Sequence, residues 1–264
     1  MTQADKKAAS KSSRGPFLII GAIALATILG IYFVSQSGDV PDPLSANSNA
    51  NSTQTGDLAR ERYAKAPNGA SPANMLGSEN ASIVLEEFAD FQCPTCSVVH
   101  PKVKEVISLY GPKIKFVFRN YPLTQIHPNA YDAALAAEAA GAQGKFWQMQ
   151  DLIFKNQPTW AAQPNARPTF IEYAKSIGLD AQQFENDALS MGMKSRIDAD
   201  VARGRALNVT STPTILINGK PIPFQQLEVA SMKQLIDAEL ERINGPQKPD
   251  SGENTSAGDQ ANSK

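Results

Sequence analysis

From Ser82 to Pro112 the chain reads SIVLEEFADFQCPTCSVVHPKVKEVISLYGP. Its opening run, Ser82 to Phe88, is β-branched and aliphatic enough for a buried strand, and the period-2 alternation of a strand puts Ile83, Leu85, Glu87 and Ala89 on one face. Glu87 thus shares a face with apolar neighbours. After Cys93-Pro94-Thr95-Cys96, the apolar residues Val99, Val103, Val106, Ile107 and Tyr110 recur at spacings of three and four, and Gly111-Pro112 supplies a stop. This pattern predicts a strand followed by a helix that carries both cysteines at its N-terminus.

Downstream, Ile114 to Tyr121 (IKFVFRNY) alternates again and predicts a second strand, so the unit is βαβ. Next comes a long stretch without strand signals. The alanine-rich segment Asn129 to Ala140, then Lys145 to Lys155, Pro168 to Ile177 and Ala181 to Arg205, each space their apolar residues as helices do. Strand character returns at Pro213 to Ile217, Asn218-Gly219 is a type I′ turn signal before a second short strand, and Ser231 to Ile243 predicts a closing amphipathic helix. The expected order is βαβ, helices, ββα: an α/β domain over residues 70–244 with an all-helical insertion at about 124–208.

The ends of the 264-residue chain differ from this middle. Phe17 to Val34 (FLIIGAIALATILGIYFV) is an uncharged apolar run of 18 residues. As a helix it spans about 27 Å against a bilayer core of about 30 Å. Lys6, Lys7, Lys11 and Arg14 precede it against a single acid, Asp5, while Asp39, Asp42 and Asp57 come before the first basic residue beyond it, Arg60. The positive-inside bias therefore makes residues 1–16 a cytoplasmic tail. Residues 17–34 form a transmembrane anchor or, with the small residues Ser35 and Ser37 behind them, the apolar region of a cleaved signal peptide. Either reading exports the domain to the periplasm or the outer face of the cytoplasmic membrane. Residues 35–69 read as a flexible linker and 245–264 as a disordered tail, since both lack the apolar residues a core requires. A net charge of −1 gives no sign of nucleic-acid binding.

The chain holds only two cysteines, three positions apart. An exported disulfide scaffold usually carries four or more. Closing so short a loop is worth only about 2 kcal/mol before strain, which argues against a purely structural bond. A zinc site completed by His100 and His127 lacks the usual ligand spacing. A cysteine-histidine hydrolase built on Cys93 and His127 would have its nucleophile trapped by the second cysteine. The two histidines therefore read as structural, Phe146 and Trp147 as core, and Glu86 as solvent-facing or an edge partner.

Four stretches, EEFADFQCPTC (Glu86 to Cys96), YPLTQIHPNA (Tyr121 to Ala130), QGKFW (Gln143 to Trp147) and STPTILINGKPI (Ser211 to Ile222), together resemble the DsbA-like branch of the thioredoxin superfamily, over roughly Leu76 to Ile243. The resemblance implies a thioredoxin core split by a helical insertion and an exported protein-disulfide oxidoreductase. It makes Cys93 the nucleophile, Cys96 the resolving cysteine and Glu87 a buried acid. Pro213 becomes a cis-proline beside the disulfide, and Thr212 the residue whose main chain meets an extended substrate. Pro101 matches a proline inside the active-site helix.

Placed at a helix N-terminus, Cys93 meets free N–H groups and the positive end of the dipole, so its pKa is expected to be depressed. Stabilising the thiolate stabilises the dithiol, which makes the disulfide more oxidising. Pro94 preorganises the first turn. Cys96 resolves the mixed disulfide, and a buried Glu87 with a raised pKa is a proton acceptor or donor for it. No metal or organic cofactor is required beyond the redox-active disulfide. The implied partners are exported cysteine-containing proteins and a membrane-bound, quinone-linked reoxidase. Thr95 stands where the best-known member has histidine, which leaves an isomerase or reductase open beside the oxidase. A more distant alternative is a non-enzymatic, membrane-tethered binding module or chaperone.

Overall fold

A computed structural model of the protein describes residues 58–245. The expected tail 1–16, the apolar segment 17–34 and residues 246–264 lie outside the described residues. Among the described residues, no helix is long and apolar enough to cross a membrane.

The strands expected from the alternating runs form one mixed sheet. Its members are β1 (Asn74–Gly77), β2 (Ile83–Ala89), β3 (Ile114–Asn120), β4 (Thr214–Ile217) and β5 (Lys220–Pro221), in the order β1-β3-β2-β4-β5. β2 and β3 run parallel, joined by α1 (Pro94–Tyr110), as a βαβ crossover requires. β4 pairs with β2 antiparallel, Glu87 opposite Ile215 and Phe88 opposite Thr214. The exit of β2 and the entry of β4 therefore meet at one edge, which brings Cys93 beside Pro213 across a sequence separation of more than a hundred residues. Asn218 and Gly219 both have positive φ, 48° and 80°, as the predicted hairpin turn demands.

One side of the sheet is covered by α1 and α8 (Val229–Asn244). Between β3 and β4 the chain makes α2 (Ala130–Ala142), α3 (Phe146–Lys155), α4 (Gln157–Trp160), α5 (Arg167–Ser176), α6 (Ala181–Leu189) and α7 (Met191–Ala206). The alanines of α2 are almost all buried, and their small side chains let α3, α5, α6 and α7 all pack against this one helix. Gly204 serves a similar end in α7: a Cβ there would lie 2.5 Å from Cε2 of Tyr121.

Several details depart from the sequence reading. β1 was not anticipated; four residues at a sheet edge, paired antiparallel with β3, are too few to show a period. The helix expected over Ala181 to Arg205 is two helices. It breaks at Ser190, whose extended backbone and hydroxyl, accepting from the Met193 N–H, start a new helix. The stretch expected as linker up to residue 69 is helical over 58–65, and Pro67 and Asn68 are tied to the domain.

That tie comes from the largest correction. Glu86 is neither solvent-facing nor at an edge; it is 1% exposed. β2 is a central strand covered on both faces, and the alternation that aims Glu87 at one layer aims Glu86 at the other. There its carboxylate accepts from Arg119 Nε at 2.7 Å and from Arg203 Nε and Nη2 at 2.7 and 2.9 Å. Arg119 also donates to Asp200 and to the carbonyls of Asn68 and Ala70, Arg203 donates to the Pro67 carbonyl, and the Tyr63 ring lies 4.6 Å from the Arg203 guanidinium. Burial opposes the charge on Glu86, but the two arginines hold its pKa below the ordinary carboxyl value. Glu86→Ala leaves two buried guanidiniums without their shared counter-ion and is expected to cost about 3–5 kcal/mol of stability, measured by urea denaturation of the full chain, with Glu86→Gln costing less.

Candidate active site

Beyond Ala89 the strand can no longer supply hydrogen bonds, and the chain turns. Asp90 Oδ1 accepts from the Gln92 N–H at 2.7 Å, and the Cys93 N–H donates to the Asp90 carbonyl at 3.1 Å. This turn presents Cys93 as the N-cap of α1, with extended backbone (φ −69°, ψ 120°), and Pro94 follows as the first helical residue, where a missing N–H costs nothing. α1 continues through Pro101.

Both thiols are free, so the structure shows the dithiol. Cys93 is 8% exposed and Cys96 fully buried. Pro94 is exposed, Thr95 and Thr212 are half-buried and Pro213 is buried. The Thr212-Pro213 bond is cis, as the resemblance implies, and the Cys93 thiol donates to the Thr212 carbonyl at 3.4 Å. Five of the residues singled out from the sequence, Cys93 to Cys96 and Thr212, thus meet at one point of the surface. Glu87 lies beneath them, on the buried side.

The two sulfurs differ electrostatically. Cys93 is held down at about 5, first by the hydrogen bond that the Cys96 thiol donates to it, against the opposing effect of burial, then by the Thr212 side chain and the N–H groups of Cys96 and Thr95. The helix N-terminus therefore contributes as expected but is not the largest cause. Among the described residues, the buried Thr212 hydroxyl has no hydrogen-bond partner while Cys93 is a thiol. Cys96 is driven well above the ordinary thiol value, first by burial and then by its proximity to Cys93, with the charge of Glu87 acting in the same direction. Burial alone pushes Glu87 up to about 8.

A set of polar side chains that the sequence reading passed over encloses the turn. Asp90 Oδ2 accepts from the Leu123 N–H at 2.8 Å and pairs with His127 Nδ1 at 2.7 Å. Gln92 donates to the Ala161 carbonyl and accepts from the Asn129 N–H. Gln157, at the start of α4, donates to the carbonyls of Phe91 and Cys93. All three acceptors and donors on the turn are buried. A glutamine two residues past a helix end carries no sequence signal of such a role. His100 bonds to Asp151 at 2.8 Å, so both histidines are structural partners, and no cluster able to hold a metal ion is present among the described residues.

A six-helix insertion in a thioredoxin-like sheet, with a Cys-x-x-Cys pair at the start of α1, defines a DsbA-like thiol-disulfide oxidoreductase fold. A family profile described as "Thioredoxin" matches residues 70–238, and the chain belongs to that family. Among solved structures it resembles BdbD from Bacillus subtilis, at 25% identity and a TM-score of 0.57 over 67% of this chain and 98% of that one. It shares the fold of α-DsbA2 from Wolbachia pipientis at 18% identity and a TM-score of 0.58, covering 72% of this chain and 98% of that one. Among curated proteins it is 35% identical over 182 residues to the Na(+)/H(+) antiporter NhaA 3 of Salinispora tropica, which is 67% of this chain but only 27% of that protein's length.

Two measurements on the full chain in detergent follow. Alkylation of the reduced protein by iodoacetamide is expected to modify Cys93 with a midpoint near pH 5 and to leave Cys96 unmodified until the fold is lost. For Glu87, the unfolded chain releases the proton near 4.5 and the folded chain keeps it to about 8, so the stability from this group is complete below the lower value and lost by the upper one. Relative to Glu87→Gln, the wild type is therefore expected to lose on the order of 5 kcal/mol of stability between these limits in urea titrations; a difference that does not change with pH contradicts the assignment.

Proposed function

We propose that this protein introduces disulfide bonds into exported proteins by exchange through Cys93 and Cys96. The observation that carries the reading is the asymmetry of the two sulfurs: one reachable and stable as a thiolate, the other buried and held as a thiol. In the oxidised protein a substrate thiolate attacks Cys93 Sγ. The Cys93–Cys96 bond breaks, a mixed disulfide forms at Cys93, and Cys96 leaves with the electron pair. Glu87, protonated at neutral pH by its burial, supplies the proton that Cys96 takes up and regains one from solvent. A second substrate thiolate then attacks the substrate sulfur of the mixed disulfide and expels Cys93, whose low pKa makes it a good leaving group. Two electrons pass from two substrate thiols to the protein, Cys96 keeps one proton, and the other goes to solvent.

Pro94, Thr95 and Thr212 flank the reactive sulfur, and the Thr212 main chain beside it offers an extended substrate a place to pair. Pro213, joined to Thr212 by a cis bond and buried, fixes the direction of that main chain. The dithiol left after each turnover needs an external electron acceptor, and we assign that role to a membrane-bound, quinone-linked oxidase. The apolar run 17–34 with its basic flank supports an extracytoplasmic domain on a single-pass anchor or released from a signal peptide, with exported proteins as substrates. The redox-active disulfide is then its own cofactor.

The reduction potential of the pair against glutathione tests the direction. A value near −120 mV, as in DsbA, is expected for an oxidase, while one near −270 mV, as in thioredoxin, would assign a reductase instead. Cys93→Ser should abolish both oxidation of a reduced test protein and activity in vivo; activity in vivo that survives the loss of oxidation would favour the tethered binding module or chaperone.

A further inference from the structure

One side chain of the inserted helices reaches the main chain of the nucleophile itself. Gln157 begins α4, far from the cysteines in sequence, and is 6% exposed. Its carboxamide nitrogen donates to the Phe91 carbonyl at 2.7 Å and to the Cys93 carbonyl at 2.9 Å. The Cys93 carbonyl also accepts from the Ser97 N–H, the first bond of α1, and that bond is longer at 3.3 Å. The backbone of the nucleophile is therefore gripped more closely by the insertion than by its own helix.

We propose that Gln157 is a positioning residue of the redox centre, through which the helical insertion fixes the Cys93 main chain and favours the thiolate over the disulfide. This inference rests on the reading of Cys93 and Cys96 as an exchanging pair and goes beyond it. Two physical effects act together. Pinning both carbonyls fixes the turn from Phe91 to Cys93, and with it the position of Cys93 Sγ against the Thr212 carbonyl and the N–H groups of Thr95 and Cys96. The Gln157 N–H bonded to the Cys93 carbonyl also offsets the negative end of that dipole, which lies close to the anionic sulfur. Gln92 provides an internal control. It ties the same turn to the same insertion, through the Ala161 carbonyl and the Asn129 N–H, without touching the Cys93 carbonyl.

The test uses the full chain in detergent and reads two quantities: the equilibrium of the pair with glutathione and the pH midpoint of Cys93 alkylation. Loss of the two donors in Gln157→Met is expected to shift the equilibrium about tenfold toward the protein disulfide and to raise the alkylation midpoint by about half to one pH unit. Gln92→Met should lower the melting temperature while leaving the equilibrium within about twofold of wild type. If Gln157→Met does not fold, Gln157→Asn, which keeps a polar side chain at the helix start but is one methylene too short to reach, should shift both quantities in the same direction. A wild-type equilibrium and midpoint in the folded Gln157 variant, or equal shifts in the Gln157 and Gln92 variants, would overturn the proposal. A wild-type protein that fails to exchange with glutathione at all would instead overturn the functional reading on which it rests.

Discussion

Strand β2 is covered on both faces, and that constraint forces its two adjacent glutamates into opposite solutions. A carboxylate removed from water must be either compensated or neutralised. Glu86 is compensated: Arg119 from β3 and Arg203 from α7 converge on it, and the same two guanidiniums reach the carbonyls of residues 67, 68 and 70. One buried charge thus joins the sheet, the insertion and the chain that leads into the domain. Glu87 is neutralised: burial acts on it unopposed, and it remains protonated to about pH 8. Neighbours in sequence, the two acids become a structural clamp on one side of the sheet and a neutral buried acid on the other.

The redox end of the molecule follows the same logic of unsatisfied groups. Where β2 ends, backbone donors and acceptors lose their ladder, and the first turn of α1 leaves N–H groups without helical partners. The N–H groups turn to the Cys93 sulfur, while the carbonyls of the preceding turn are taken by Gln157. Sulfur chemistry and backbone satisfaction are therefore solved by one arrangement. The insertion is part of it, since its α4 supplies the glutamine and its connecting segments supply the partners of Gln92 and Asn129. Cys96, one turn further on, owes its state first to burial and then to Cys93, with Glu87 acting in the same direction.

Much of the architecture was legible because it is periodic. The alternation of Ile83, Leu85 and Glu87, the helical spacing of Val99, Val103 and Val106, and the Asn218-Gly219 turn each report a local conformation that neighbouring residues enforce. Short or asymmetric features were not. β1 is held by its pairing with Phe116 to Phe118 rather than by any pattern of its own, and the break at Ser190 depends on a single cap inside a continuous helical composition. The fate of Glu86 was missed because a strand's alternation says which residues share a face but not whether both faces are covered.

Residue order alone was enough to mark Cys93 and Cys96 as a pair at the start of a helix, to put Glu87 on an apolar face and to order the strands and helices around them, since these follow from spacing along the chain. Three-dimensional packing was needed to bring Thr212 and Pro213 to the sulfur, to bury Glu86 against two arginines and to aim Gln157 at the Cys93 carbonyl. Each of those contacts joins groups far apart in sequence, and their energies come from burial and hydrogen-bond geometry that no local pattern encodes.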